Sequence, residues 1–325
     1  MKQTIETQHE VPIAPELADD LLSFWKTIFG CDPDLPRQVW LGHETQYHRL
    51  RVYLARRKGR CVGSAATMAS HALPWLGGVA EVATLPSSRG QGLASRLCQQ
   101  IVSDFRKRNG RALFLGTDNP NAARIYYRLG WRKLAGTNVM VNVSNGESPE
   151  IFMADYFRPQ NDYSIIPTDP SVRIPMIPLL HTPHDWQVLD ANTRIYSIRY
   201  HVQQSCIGLY QRYRQYVHGD RGQWFSAVTE DGRVVGLSTA QFNELGCCNV
   251  DGFTHQRFST CWEPLIQTAM RWGQMHNTSV FTVTLSAEDE DKRRLFESLG
   301  FGREQPAEAL EFGGRRVPSL RLYRD

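Results

Sequence analysis

The chain has 325 residues, 41% of them hydrophobic and 22% charged, a globular balance in a length that exceeds one typical domain. A net charge of +4 and a pI near 8.7 are too mild, without a dense Lys/Arg block, to suggest a nucleic-acid partner. No apolar run reaches bilayer length, and the segment Met1–Glu10 lacks the apolar core of a signal peptide, so a cytoplasmic protein with no membrane partner is expected.

Apolar positions Leu17, Leu21, Leu22, Trp25 and Ile28 predict a helix over 15–29. Residues 49–57 and 60–68 read as a hairpin, with the basic cluster Arg56-Arg57-Lys58-Gly59-Arg60 at its tip. A strand is expected over 77–85. Leu93, Leu97, Ile101 and Phe105 step by four, which predicts a helix over 92–108 with one buried stripe, ended by Asn109-Gly110. A short strand over 112–115, a helix over 120–129 closed by Gly130, and a strand over 131–143 follow. Pro- and Gly-rich residues 146–175 read as a linker that divides the chain into domains 1–145 and 176–325.

The second half repeats this order. Strands at 224–228 and 234–237 form a hairpin, and a strand near 247–252 leads to a helix near 260–275. A strand at 279–285 and a helix near 288–298 precede Leu299-Gly300-Phe301. At an offset of 170 residues, that tripeptide aligns with Leu129-Gly130-Trp131, and Asp251 with Glu81. The segment Ser259-Thr260-Cys261-Trp262-Glu263-Pro264 then falls under Arg89–Ala94. Seven scattered cysteines without a Cys-x-x-Cys pair argue against zinc and against a disulfide framework, and no metal is expected at His181 or His184.

The chemistry concentrates in residues 80–131. Arg89-Gly90-Gln91-Gly92-Leu93-Ala94 joins a strand to a helix. There, glycines let the backbone approach a phosphate and the first helical amides point at the anion. Asn119-x-x-Ala122 and Tyr126-x-x-x-Gly130-Trp131 follow. Together these parts resemble the acyl-CoA site of the GCN5-related N-acetyltransferase (GNAT) superfamily, with Trp131 where the family has Phe. The resemblance implies an α/β fold with a mixed sheet and, with the internal repeat, two tandem GNAT-like domains. The second lacks the glycine turn and has Phe296 at the place of Tyr126, so it reads as degenerate.

The resemblance also implies function: acetyl-CoA as co-substrate, no metal, and direct transfer to a small-molecule amine in a ternary complex. Arg89, Gly90, Gln91, Gly92, Leu93 and Ala94 would hold the pyrophosphate. The backbone of Thr84 and Leu85 would meet the pantetheine and thioester, and Asn119 would lie near the pantetheine arm or cap a helix. Tyr126 matches the general acid, whereas Tyr127 lies off register. Glu81 is the candidate base, with His71 and Asp118 as reserves. Alternatives are a decarboxylase or acyltransferase acting on malonyl-type or other acyl-CoAs, an acyl-CoA-binding module without turnover, and acetylation of a protein amine. The aromatics Trp186, Tyr196, Tyr200, Tyr210, Tyr213, Tyr216 and Trp224 are available either to wall an acceptor pocket or to pack. A tandem chain already contains a pseudo-dimer, which favours a monomer.

Overall fold

A computed structural model of the protein describes residues 4–217, 221–244 and 246–325. The first three residues of the polar N-terminal segment lie outside them. The chain divides into two units, the first holding the described residues up to Phe152 together with Arg173–Ile177 and Gln204–Leu209.

The first unit opens with β1 (Ile5–Glu10), then α1 (Pro15–Phe29) and the one-turn α2 (Arg37–Trp40). α1 starts on Pro15, whose fixed φ suits a first helical turn, and ends at Gly30 in the left-handed region. β2 (His48–Arg57) and β3 (Arg60–Ser70) form the expected hairpin, its basic tip turning through Lys58 and Gly59 at φ 48° and 76°. β4 (Leu76–Thr84), α3 (Leu93–Arg106), β5 (Ala112–Gly116) and α4 (Pro120–Arg128) follow as predicted to within a few residues. The strand expected over 131–143 is two strands, β6 (Arg132–Lys133) and β7 (Val139–Val143). They are separated by a turn in which Gly136 takes φ 74° and Thr137 Oγ1 donates to the Leu134 carbonyl.

The sheet runs β1-β2-β3-β4-β5-β7-β6, and of its pairs only β4–β5 is parallel. Its period-two alternation buries both faces. Tyr53, Ala55 and Ala65 pack with the Leu97–Ile101–Phe105 stripe of α3. Ser64, next to Ala65, meets Trp25 of α1 on the other face. Leu97, Ile101 and Tyr53 are all essentially removed from water.

Two features open this sheet. β4 and β5 pair at only three positions, Leu76 with Ala112, Gly77 with Leu113 and Gly78 with Phe114. Further along, β4 carries a bulge: Ala80 pairs with Ala66 and Ala83 with Ser64, so Glu81 and Val82 stand opposite Ala65 alone. Chain from far downstream closes one side of the gap. A Cβ at Gly78 would lie 2.6 Å from Ile207 Cδ1, and one at Gly116 would lie 2.4 Å from the Gln204 carbonyl oxygen, so both glycines permit a close approach that any side chain would block.

The second unit contains α5 (Pro149–Tyr156) from Met153 onward, β8 (Tyr163–Pro167), α6 (Met176–Leu180) from Pro178, and β9 (Val188–Asp190) with β10 (Ile195–Tyr196). It continues with α7 (Leu209–Arg214) from Tyr210, β11 (Gly222–Thr229), β12 (Val234–Phe242), β13 (Cys248–Thr254) and α8 (Trp262–Met275). β14 (Phe281–Ser286), α9 (Glu290–Ser298), β15 (Arg303–Phe312) and β16 (Arg315–Arg324) complete it. The sheet order, β8-β11-β12-β13-β14-β16-β15, is that of the first unit strand for strand, again with one parallel pair, β13–β14.

The segment read as a linker is structured. β8 is the edge strand of the second sheet, paired with β11, and Arg173 belongs to the first unit. Its prolines misled because they sit at element starts and in short turns, not in a free tether. Three of the available aromatics are core in the second unit: Tyr213 stacks on Trp224 at 4.7 Å, and Tyr210 lies 5.5 Å from the same ring. Among the described residues, no helix is long and apolar enough to cross a membrane.

In the first unit, Arg173 and Glu44 form a buried bidentate pair, with Nη2 to Oε1 at 2.6 Å and Nε to Oε2 at 3.0 Å. Two charges removed from water gain from each other only while both are present. Arg173→Met strips Glu44 of this partner. The expected loss in denaturant-measured stability is about 3–5 kcal/mol, whereas a double replacement of the pair by apolar residues costs much less.

Candidate functional site

The bulge fixes the site's central residue. Glu81 has φ 53°, a left-handed backbone that a non-glycine residue rarely keeps without support. Support comes from two hydrogen bonds in series: Trp25 Nε1 donates to Ser64 Oγ at 2.8 Å, and Ser64 Oγ donates to the Glu81 carbonyl at 2.8 Å. Ser64 and Trp25 are fully buried. The relay turns the Glu81 carboxyl into a cavity of about 660 Å³ at the parting of β4 and β5.

This cavity is lined by the C-terminal end of α1 and the loop after it, the β4 bulge, the end of β5, α4 and residues 204–206, all within the first unit. Glu81 is only 6% exposed, and its Oε1 has no hydrogen-bond partner. Burial, then the nearby negative charge of Asp34, push its pKa from 4.5 up to about 8, against the opposing pull of the Leu35 and Asp34 backbone groups. Asp34 opens onto the cavity's solvent yet is crowded by protein, and this desolvation raises its own pKa, partly offset by Arg173. The sequence left open whether Glu81 is a surface residue of a strand edge. It is a buried one, because the bulge rotates it off the regular alternation.

Tyr126 also lines the cavity and is 5% exposed, whereas Tyr127 is 47% exposed. Burial, with a smaller contribution from Cys98, holds the Tyr126 phenol well above its ordinary pKa of 10, so it stays protonated and able to donate. Of the reserve bases, Asp118 lines the cavity. His71 does not: its Nε2 lies 3.1 Å from the Thr45 carbonyl, in a separate recess with Arg49, Arg51 and Arg108.

The paired strand residues divide. The Leu85 amide donates to the Val62 carbonyl at 3.0 Å, so it is spent within the sheet. Amides alternate in direction along an antiparallel strand, so those of Thr84 and Val82 point away from β3, toward the gap. The Leu85 amide is thus not free for a ligand, whereas Val82, which the sequence did not single out, lines the cavity. Nothing in a period-two reading reveals it, because the bulge shifts the register by one.

Beyond Thr84 the turn has the form expected of an anion cradle. Gly90 and Gly92 take φ 76° and 72°, and α3 begins at Gly92 without any side-chain cap. The first amides of α3, at Leu93 and Ala94, thus have no intrahelical partner. Gly90 and Gln91 are exposed, while Leu93 is buried and anchors the helix start. Arg89 Nε donates to the Thr84 carbonyl at 3.3 Å, and Arg57 holds the Gln91 side chain. Asn119 is the N-cap of α4, its Oδ1 accepting from the Asn121 and Ala122 amides at 2.9 and 3.3 Å, while it also lines the cavity. The structure thus joins Glu81, Tyr126 and Asn119 around one cavity, whose lining does not include Thr84, Leu85 or residues 89–94. Among the described residues, no group of His, Cys, Asp and Glu has the arrangement of a metal site.

The model of the Acetyltransferase (GNAT) family matches residues 15–131. No curated protein sequence matches the chain. Among solved structures, it is similar to a chimera of the spermidine N-acetyltransferase SpeG from Vibrio cholerae with hSSAT, at 15% identity over 50% of this chain and 95% of that one, with a TM-score of 0.41. It is also similar to an acetyltransferase of the GNAT family from Streptococcus pneumoniae, at 12% identity over 50% and 99% of the two chains, with a TM-score of 0.37. Residues 15–131, less than half of the chain, are thus similar to the Acetyltransferase (GNAT) family.

Proposed function

We propose that the first unit transfers an acetyl group from acetyl-CoA to a small-molecule amine by direct attack within a ternary complex. The observation that carries this reading is the Glu81 carboxyl, buried and basic, facing a cavity where β4 and β5 part. The turn at residues 89–94 binds the pyrophosphate through its backbone, and the Thr84 and Val82 amides meet the pantetheine and the thioester oxygen. Glu81 takes a proton from the acceptor ammonium. The free amine attacks the carbonyl carbon, the C–N bond forms, the C–S bond breaks, Tyr126 donates a proton to the leaving thiolate, and the second proton lost from the nitrogen as the amide forms restores the Tyr126 phenol.

The second unit is, in this reading, a degenerate copy. Three observations support that. Its sheet has the same order, and Phe296, fully buried, stands 170 residues after Tyr126. Its gap between β13 and β14 is also taken by its own chain. Lys292 Nζ donates to the Val188 and Leu189 carbonyls at 2.8 and 3.1 Å and pairs with Asp251 at 2.7 Å. Asp289 accepts from the Gln187 and Val188 amides, and Asp251 accepts from the Ala191 amide at 2.8 Å. β9 lies where a pantetheine would have to lie.

Isothermal titration with acetyl-CoA is expected to show one equivalent bound, and Gly92→Trp, which forces a side chain onto φ 72°, abolishes it. Two equivalents would refute the degenerate copy, and no binding would refute the acetyltransferase reading. The pH profile tests the base. With a folded pKa of about 8, kcat/KM rises with pH and levels above that value. Glu81→Gln lowers kcat by about 10²–10⁴-fold and removes the limb. Asp34→Asn moves the limb to lower pH, a shift that the acceptor's own titration cannot produce. Wild-type turnover in Glu81→Gln would eliminate Glu81 as base.

The same shift affects stability. The folded state holds the Glu81 proton more tightly than the unfolded chain does, so its contribution falls as pH rises from 4.5 toward 8, by at most about 1.4 kcal/mol per pH unit. Glu81→Gln is therefore more stable than wild type at pH 8, and the two converge below pH 4.5, as read by denaturant midpoints.

A further inference from the structure

We infer that the acceptor is a polycation, with one ammonium at Glu81 and a second held by Asp34 and Asp118 in the same cavity. The inference rests on the acetyltransferase reading and extends it to a substrate class. The cavity presents four carboxylates, Asp32, Asp34, Glu81 and Asp118, and no Lys, Arg or His among its lining residues. One of the four, Asp32, already pairs with Lys26 at 2.9 Å, and Arg173, close enough to act on Asp34, is bound bidentately to Glu44, which leaves Asp34, Glu81 and Asp118 for a ligand.

An acidic lining alone would be no more than a solvated rim. The Glu81 side chain makes it a site: it lines the cavity, is nearly fully buried, and its Oε1 has no hydrogen-bond partner. A buried acceptor atom left unsatisfied is costly, and an ammonium donor relieves that cost. Two carboxylates, Glu81 and Asp34, interact repulsively here, and a cation lying against both removes that repulsion. A cavity of about 660 Å³ has room for an extended diamine alongside the thioester end of the cofactor. An acceptor with its own carboxylate or phosphate next to the reacting amine would meet only like charge.

The test compares butylamine with 1,4-diaminobutane as acceptors, and both with glutamate, by thiol release from acetyl-CoA. The expected kcat/KM for the diamine exceeds that for the monoamine by roughly ten- to a hundredfold, the worth of one charge-assisted contact. Asp34→Asn and Asp118→Asn each reduce that ratio, and because it is a ratio, any common change in the basicity of Glu81 cancels. The diamine KM rises with ionic strength more steeply than the monoamine KM.

Equal use of mono- and diamine, or preference for glutamate, overturns the polycation inference while leaving acetyl transfer standing. If no amine is turned over, titration of 1,4-diaminobutane into the CoA-saturated protein decides. Binding that is lost in Asp34→Asn keeps the cation site and refutes acetyl transfer. Absence of binding overturns the inference.

Discussion

The left-handed turn of the backbone at Glu81 is the constraint on which the first unit's site depends. A regular strand would continue the pairing with β3, place residue 81 in plain alternation and keep β4 alongside β5. One extra residue instead bends β4, opens the sheet and turns a carboxyl inward. The conformation is costly for a residue with a side chain, and it persists because a buried serine, itself held by a buried tryptophan, donates to its carbonyl. Burial and electrostatic repulsion from Asp34 both act on the carboxyl that this backbone turn positions, each making it a better proton acceptor near neutral pH. The fold is less stable for it once pH rises above the ordinary carboxylate range.

The two units share one topology and differ in what occupies its parting. Both have a seven-stranded sheet with the same strand order and a single parallel pair beside which the strands part. In the first, the parting is a cavity bordered by carboxylates. In the second, β12 and β13 pair without a shift in register, and the gap is filled by β9, with Lys292, Asp251 and Asp289 pairing its amides and carbonyls. In the second unit Lys292 pairs with the buried Asp251, whereas Glu81 in the first retains an unsatisfied oxygen.

Much of this was legible in the residues. The helix stripe Leu93–Leu97–Ile101–Phe105, the hairpin tip at Lys58-Gly59 and the glycine turn at 90–92 each express a strong local preference, and the elements formed where expected. The chain order of β11 to β14 with α8 and α9 was read from the pattern of the second half. What escaped was set by tertiary context. The bulge leaves no mark in composition, so the burial of Glu81, the inward amide of Val82 and the spent amide of Leu85 could not be read. The prolines of 146–175 looked like a tether because proline marks element starts as readily as linkers. β1 and the terminal hairpin β15–β16 went unread, since exposed edge strands carry no clean apolar alternation.

The wall formed by residues 204–206 has a consequence for how this protein is made. The first unit's last sheet strand ends at Val143, yet its cavity is closed only by residues that follow some sixty positions later, seated against Gly78 and Gly116. During vectorial synthesis the sheet and its helices can be complete while the site is still open to one side. The cavity takes its final shape only after residue 209 has left the ribosome. A chain cut at Phe152 would retain the bulge, the glycine turn and Tyr126 but lose one side of the pocket and the guanidinium of Arg173, so the first unit cannot be excised as a contiguous segment. The topology makes the pocket a product of the longer chain.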